Sequence, residues 1–433
     1  MKNDKTAAVP GFGSCVPLTI ISFDMTKASV RTSVDTSPHQ AAKFRRKRPA
    51  QKAQEKHAHA EPASQSPADA LVGTETTRLL HGSLLTWYAR ERRDLPWRRT
   101  RDPYAIWLSE VMLQQTRVDT VIPYYERFLA RWPTVGALAD APIDDVLASW
   151  SGLGYYRRAR MLHAAARSIA EGTTFPRNAE SLARVKGIGR YTAGAVSSIA
   201  YGEAAPLVDG NVARVFARLF AIEEDVRSTK GIARLWALAE ELVDAGDPGA
   251  WNQALMELGA TVCTPRDPRC LLCPVQTLCR ARALGKEREL PHMKAKAKPR
   301  EQRRWALVAT KRDAVLLGQR RADLRFGGLW EPPTLDAIES DESDAEAAER
   351  LASVASVNIR NLRRAPDVTH VLSHRRLEIA VLRAELVPLP ATRAPVSSDE
   401  YTQFALVDPR ELHDRGVSTL AQKLLRAGLA AMR

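Results

Sequence analysis

The sequence predicts a mainly α-helical chain, in which a two-lobed all-α domain carrying a cysteine loop is followed by a smaller α+β domain. Three observations carry that prediction. From about residue 75 to 285, apolar side chains recur at three- and four-residue spacing, with short Gly- and Pro-bearing breaks between the runs. Past residue 302 strand-like runs replace them, in RRWALVAT, AVLLGQRR and HRRLEIAVLRAELV. Four of the five cysteines fall between 263 and 279.

Taken in order, residues 1–74 are rich in Ala, Ser, Pro, Gln and Lys and are expected to be disordered. Within them KFRRKRPAQKAQEK (43–56) reads as a solvated basic tail, or as a nucleic-acid tether or nuclear-targeting-like run, and translation starting at Met25 is an alternative. The segment VPLTIISF (16–23) is short, contains a proline and lacks a cleavage signature, so no signal peptide is expected. No apolar run approaches the roughly 20 residues that span a bilayer. A cytoplasmic, nucleoid-associated chain with no membrane partner is the expectation.

Helical patterns then follow in LLHGSLLTWYARER, PYAIWLSEVMLQQT, DDVLASW, RARMLHAAARSIA, YTAGAVSSIA, NVARVFARLFAI and LWALAEELV, within a domain expected over 75–285. KERELPHMKAKAKPREQ (286–302) is basic and almost free of large apolar side chains, which suits a linker running beside a phosphate backbone. In the last domain, 303–433, helices are expected around 343–355 and 419–431. No solenoid-period repeat is present. Net charge of +14 points to a polyanionic partner, of which nucleic acid is the commonest, although a basic solvated surface alone would account for it too.

Chemistry enters with SEVMLQQTRV (109–118), where Glu110 interrupts an apolar stripe. With Asp102 as N-cap and Pro103 at the first helical position, Ile106, Trp107 and Leu113 share the face of Glu110. Burying a carboxylate there is costly, and keeping it protonated relieves the cost. In LVDGNVARV (207–215), Asp209 precedes a helix starting near Asn211, so amides and helix dipole favour its anion; a plain helix cap is the simpler reading of Asp209 alone. A neutral acid and a fixed anion together are the division of labour that breaks glycosidic bonds through oxocarbenium-like states.

Cys263, Cys270, Cys273 and Cys279 form a C-x6-C-x2-C-x5-C run, enough thiolates within 17 residues to enclose one metal centre. Zinc sites more often pair two short knuckles, so a four-iron cluster fits better. Arg266 and Arg269 protrude from this loop and could clamp phosphates. In RVKGIGRYTAGAV (184–196), Gly187 and Gly189 allow close backbone approach at a helix N-terminus, with Lys186 and Arg190 flanking them. A G-x-G turn alone is commonly just a tight connection; with those cations it reads as a DNA-backbone clamp.

WLSEVMLQQTRV, GLGYYRRARMLH, GIGRYTAGAV, VDGNVARV and the four-cysteine run closely resemble adenine DNA glycosylases of the MutY type. These belong to the helix-hairpin-helix superfamily, alongside endonuclease III. The resemblance implies a monofunctional enzyme, expected to be monomeric, that holds a [4Fe-4S] cluster and excises adenine from A:8-oxoG or A:G mispairs in double-stranded DNA. By motif position it makes Glu110 the acid, Asp209 the carboxylate facing the sugar cation, and Asn211 and Tyr191 their helpers. Arg93, Leu95, Trp97, Arg98 and Gln253 match positions of the flipped-base pocket. Gln115 and Thr116 match contacts around the lesion pair, and Tyr155 the side chain wedged beside 8-oxoguanine. For Trp97 and Tyr155 taken singly, core packing is the plainer reading.

The last domain resembles the Nudix-like module of these enzymes, through LRFGGLWEPP (324–333) and THVLSHRRLEI (369–379). Ser373 and His374 match its lesion-reading pair, while Leu372 stands where the family usually has phenylalanine. No G-x5-E-x7-R-E-U-x-E-E box follows LRFGGLWEPP, so magnesium-dependent pyrophosphate hydrolysis is not expected. Two rivals remain. An endonuclease III-like bifunctional glycosylase would carry lysine in place of Tyr191, because a Schiff base needs an amine. A non-catalytic cluster protein would have no use for Glu110 and Asp209.

Overall fold

The computed structural model describes residues 71–172, 174–294, 298–338, 341–387 and 398–430. The basic run 43–56, Met25 and most of the expected disordered segment lie outside them. The end of that segment is folded. The Leu71 and Val72 amides donate to the Glu241 carboxylate at 2.8 and 2.7 Å, Val72 is buried, and Thr74 opens the first helix.

The helical domain comprises α1 (Thr74–Glu91), α2 (Pro103–Leu113), α3 (Val118–Arg131), α4 (Val135–Asp140), α5 (Ile143–Ser149), α6 (Arg157–Glu171) and α7 (Ala179–Arg184). It continues through α8 (Arg190–Tyr201), α9 (Gly210–Leu219), α10 (Thr229–Leu242), α11 (Pro248–Thr261) and the short α12 (Arg280–Ala283). Asp102 caps α2 by accepting the Tyr104 amide, with Pro103 first in the helix, as its sequence dictates. The expected apolar stripe understates α2, because every residue from Tyr104 to Met112 is buried. Such a helix is the hub of its domain rather than a surface element. It packs against α3, α6 and α8.

The helical pattern read through Thr116 stops at Leu113. Gln115 has a left-handed backbone (φ 59°), so it lies on a turn. Two glycines set helix spacing around the hub. A Cβ on Gly194 of α8 would fall 2.2 Å from the Pro206 carbonyl, and one on Gly259 of α11 would fall 2.5 Å from Asn211 Cβ. Close approach of α11 to the start of α9 therefore depends on a missing side chain.

The stretch read as a linker is anchored partway. Leu290 is buried, its carbonyl accepts Arg218 Nε at 2.9 Å, and the next strand already starts at Arg300. That strand, β1 (Arg300–Lys311), is followed by β2 (Ala314–Arg320), β3 (Trp330–Glu331), β4 (Thr334–Asp336), α13 (Asp344–Val354), β5 (Asn358–Val371), β6 (Arg375–Val387), β7 (Tyr401–Val407) and α14 (Thr419–Ala430). The sheet runs β3-β2-β1-β6-β5, with β4 on β1 and β7 on β2; β1 and β6 are parallel and the other pairs antiparallel.

Alternation along β1 sends Trp305, Leu307 and Ala309 toward α13, and Ala306 and Val308 toward α14, so both faces of the sheet are covered. Among the described residues no helix is long and apolar enough to cross a membrane.

The two domains dock through the Gly-Gly-Leu-Trp segment. Leu329, fully buried, joins the core of the helical domain. Gly328 (φ +76°) brings its backbone against Leu147 of α5, and Arg160 of α6 donates to the Gly327 carbonyl. The Ser151 and Tyr156 hydroxyls both donate to the Val417 carbonyl, at 2.7 and 3.1 Å. Leu329→Ala should remove about 2–5 kcal/mol from the docked state. Scanning calorimetry should then show one thermal transition separating into two.

Candidate active site

Three elements converge on one cluster: α2 with the buried Glu110, the first turn of α8 with the half-buried Tyr191, and the half-buried N-cap of α9, Asp209. The Tyr191 hydroxyl donates to Glu110 Oε2 at 2.5 Å and touches Met256 Sδ at 3.4 Å. Glu110 is 6% exposed, and burial lifts its pKa to about 7. The Tyr191 hydrogen bond and Arg98 pull it down, while the neighbouring Asp209 pushes it up. Burial and both carboxylates raise the Tyr191 phenol far above its ordinary range, so it stays a donor. With Oε2 engaged, Oε1 is the oxygen left to present a proton.

Asp209 accepts Val212 N at 2.7 Å on Oδ1 and Asn211 Nδ2 at 2.8 Å on Oδ2. Asn211 is oriented in turn, since its Oδ1 accepts Arg214 Nη2 at 2.9 Å. Capping alone predicts a depressed pKa, and here the structure corrects the expectation: burial is the larger effect and raises it. The Val212 amide, the Asn211 side chain and Arg214 oppose that rise, and N–H donors on both oxygens suit the anion.

The residues matched to the base pocket lie on the turn before α2 and on α11. Leu95 and Trp97 are buried, with Trp97 edge-on to Tyr125 at 5.4 Å. Arg93 and Arg98 are not free cations. Both are paired with Glu257 of α11, Arg93 through Nε (2.8 Å) and Nη2 (2.7 Å), and Arg98 through Nη2 (2.8 Å). Those donors hold the Glu257 pKa down at about 2 although burial works the other way. Gln253, one turn earlier on α11, donates to the Gly249 carbonyl.

Gln115 and Thr116 follow the end of α2, and Arg158 ties that end to the loop before α6. This buried guanidinium donates to the carbonyls of Val111, Met112, Gln114, Leu153 and Gly154 and to the Thr116 hydroxyl. It thereby takes up orphan carbonyls at the C-terminus of α2. Tyr155, on the same loop, is 51% exposed with a left-handed backbone, so it is not core packing.

In the α7–α8 turn, Lys186, Gly187, Gly189 and Arg190 are all exposed, and Gly187 (φ +105°) sits tight against Met161. Arg190 departs from a free clamp, because it pairs with Glu240 and stacks on Trp236 at 3.7 Å. Arg266 and Arg269 are exposed on the cysteine loop.

Cys263, Cys270, Cys273 and Cys279 are free thiols and partly buried. Burial raises Cys270, Cys273 and Cys279 above the ordinary thiol range, and the neighbouring sulfurs add to it. Arg218, 2% exposed, places Nη1 3.3 Å from Cys263 Sγ. No group of three or more His, Cys, Asp or Glu among the described residues is placed to hold a metal ion as it stands.

Ser373 and His374 are exposed at the tip of the β5–β6 hairpin of the sheet domain, and Leu372 packs against the α14 side of the sheet. Glu257, Arg158 and Arg214 escape the sequence reading. Glu257 carries the signal that exposed Glu110, an acid set among apolar residues in WNQALMELG; the two arginines carry none.

Residues 108–241 match the family model of HhH-GPD superfamily base excision DNA repair proteins, and 304–427 match that of the NUDIX domain. The chain is 38% identical over 404 residues to the adenine DNA glycosylase of Homo sapiens, covering 80% of this chain and 73% of that one. With the Mus musculus adenine DNA glycosylase the identity is 37% over 420 residues, covering 84% and 80%. The chain belongs to the adenine DNA glycosylases. The glycosylase of Rattus norvegicus is 53% identical over a shorter stretch of 210 residues, 46% of this chain and 41% of that one. This is therefore a DNA N-glycosylase of base-excision repair, and DNA is its partner.

Replacing Arg158 by Met in the glycosylase strands several buried acceptors. Each such acceptor costs about 1–3 kcal/mol, so urea unfolding should show a loss of about 3 kcal/mol or more. Arg158→Lys, which keeps the charge but not the fork, should recover only part of it.

Proposed function

We propose that the glycosylase is monofunctional and hydrolyses the N-glycosidic bond of adenine paired with 8-oxoguanine or guanine in duplex DNA. The observation that carries this reading is the Tyr191–Glu110–Asp209 cluster. The target base must leave the stack to reach such a buried group. Glu110 delivers its proton to the adenine as the C1′–N9 bond breaks, and adenine departs neutral. Asp209, oriented by Asn211 and the α9 amides, faces the positive charge that develops on the sugar. Water then supplies the new C1′–O bond. Tyr191 offers a phenol and not an amine, so the opened sugar forms no Schiff base there and the strand stays intact.

Arg93, Leu95, Trp97, Arg98 and Gln253 would frame the extruded adenine. Tyr155, Gln115, Thr116, Ser373 and His374 would read the opposite base. Lys186, Gly187, Gly189, Arg190, Arg266 and Arg269 would grip the backbone through charge and exposed amides. The enzyme is proposed to act as a monomer in the cytoplasm, on the nucleoid.

The four cysteines are proposed to hold a [4Fe-4S] cluster. Four free, half-buried thiols within one short loop, with a buried arginine against one sulfur to offset thiolate charge, support that donor set. The cluster would brace the loop that presents Arg266 and Arg269.

Because the protonated form of Glu110 is the active one and its pKa lies about 7, single-turnover excision should be level below that pH. Above it, the rate should fall by about tenfold per pH unit. Glu110→Gln should bind DNA but excise about 10²–10⁴-fold more slowly. In the same assay the abasic strand should stay uncut until alkali is added; scission at neutral pH together with borohydride trapping would point to the bifunctional class. Metal analysis should find about four irons per chain, reduced together with DNA affinity in Cys270→Ser, and stoichiometric zinc without iron would overturn the cluster.

A further inference from the structure

Glu257 stands one residue beyond Met256, whose sulfur touches the Tyr191 hydroxyl, yet it makes no contact with Glu110 or Asp209. It is 1% exposed and its carboxylate is fully occupied. Oε1 accepts the Arg93 amide at 3.0 Å and Arg93 Nε at 2.8 Å; Oε2 accepts Arg93 Nη2 at 2.7 Å and Arg98 Nη2 at 2.8 Å. Arg98 Nη1 donates back to the Arg93 carbonyl at 3.1 Å, so both guanidinium groups and the strand between them form one braced unit. That unit spans Leu95 and Trp97. Two cations thus share one buried anion.

The groups facing Glu110 are Tyr191 from α8, Asp209 from the start of α9, and Arg98 from the turn before α2, while α11 contributes the neutral Met256 beside Tyr191. Arg98 is 10% exposed, so little solvent screens it. It is the one cation among the charged groups acting on Glu110, and it favours the wrong protonation state for an acid.

We propose that Glu257 is a positioning residue for base excision, holding Arg93 and Arg98 on the pocket wall and cancelling the charge that Arg98 would otherwise direct at Glu110. The proposal rests on the reading of Glu110 as the acid. A scaffold role alone would make Glu257 matter for stability and rate. The proposed role makes it matter for the pH at which the rate falls.

The test is single-turnover excision between pH 5 and 9 by the full-length, cluster-loaded enzyme, on duplex with adenine opposite 8-oxoguanine. Loss of the anion in Glu257→Gln should shift the falling limb about one pH unit toward acid, since a neighbouring cation left unopposed favours the carboxylate by about that order. The variant should therefore be about fivefold more impaired at pH 8 than at pH 6. Adding Arg98→Gln should return the midpoint to that of the unmutated enzyme, although the rate stays low. An unmoved midpoint in folded Glu257→Gln would overturn the proposal.

Should that variant fail to fold, Arg98→Gln alone decides. Removing the cation while the Glu257 anion stays should raise the midpoint by up to about one unit, whereas a midpoint left in place means that Arg98 directs no charge at Glu110 and refutes the proposal. Glu110→Gln separates the two readings. A falling limb that persists without Glu110 sinks the acid assignment itself, while one that needs Glu110 but ignores Glu257 sinks only this inference.

Discussion

The hydrogen bond from Tyr191 to Glu110 joins two helices about eighty positions apart in the chain and places a carboxyl group where water does not reach. A carboxylate in such a place is costly, and its surroundings favour the neutral acid instead. A second carboxyl group, Asp209, pushes the Glu110 pKa up further, while the Tyr191 donor and Arg98 oppose this only in part, and Arg98 is also engaged with Glu257. For this to happen α2, α8 and the start of α9 must reach one point from different directions. Gly194 and Gly259 allow that convergence by leaving out side chains that would hold the helices apart.

Buried or half-buried charge recurs around this point, each time with a different use. Arg158 gathers carbonyls at the end of α2, Arg214 orients Asn211, and Arg218 sits against a cysteine sulfur. Arginine suits all three places, since its planar fork can satisfy several acceptors at once while staying charged. Ordinary core packing would not need these cations. Their density near the acid cluster and the cysteine loop shows that loops, as much as helices, are held in defined positions in this domain.

How much was legible in the sequence depended on how local each signal was. Capping of α2 by Asp102, the anomaly of Glu110, the cysteine spacing and the β1–β2 hairpin were all legible, because each is decided by neighbours within a few residues. Helices α3 and α11 were passed over, although α11 contains the quoted WNQALMELG. Strand β5 was not seen either: NIRNLRRAPDVTHV carries many exposed charges, and its pairing with β6 is decided by tertiary contacts. The partners of Arg93, Arg98 and Arg190 were hidden for the same reason. An ion pair between residues 93 and 257 leaves no trace in the spacing of either segment. The burial of Asp209, which outweighs its helix cap, likewise became visible only once α9 and its neighbours were assembled.

Tyr155 and Tyr156 are adjacent and face opposite ways. The first stands in solvent on a left-handed backbone; the second is buried, with its hydroxyl on the Val417 carbonyl of the other domain and on the Gly152 amide. The loop that displays one ring is thus bolted to the neighbouring domain by the next. A rotation of the sheet domain against α5 and α6 would be carried into the angle of Tyr155 within a single peptide unit. The exposed ring therefore takes its position from both domains, and a shift of either would displace it.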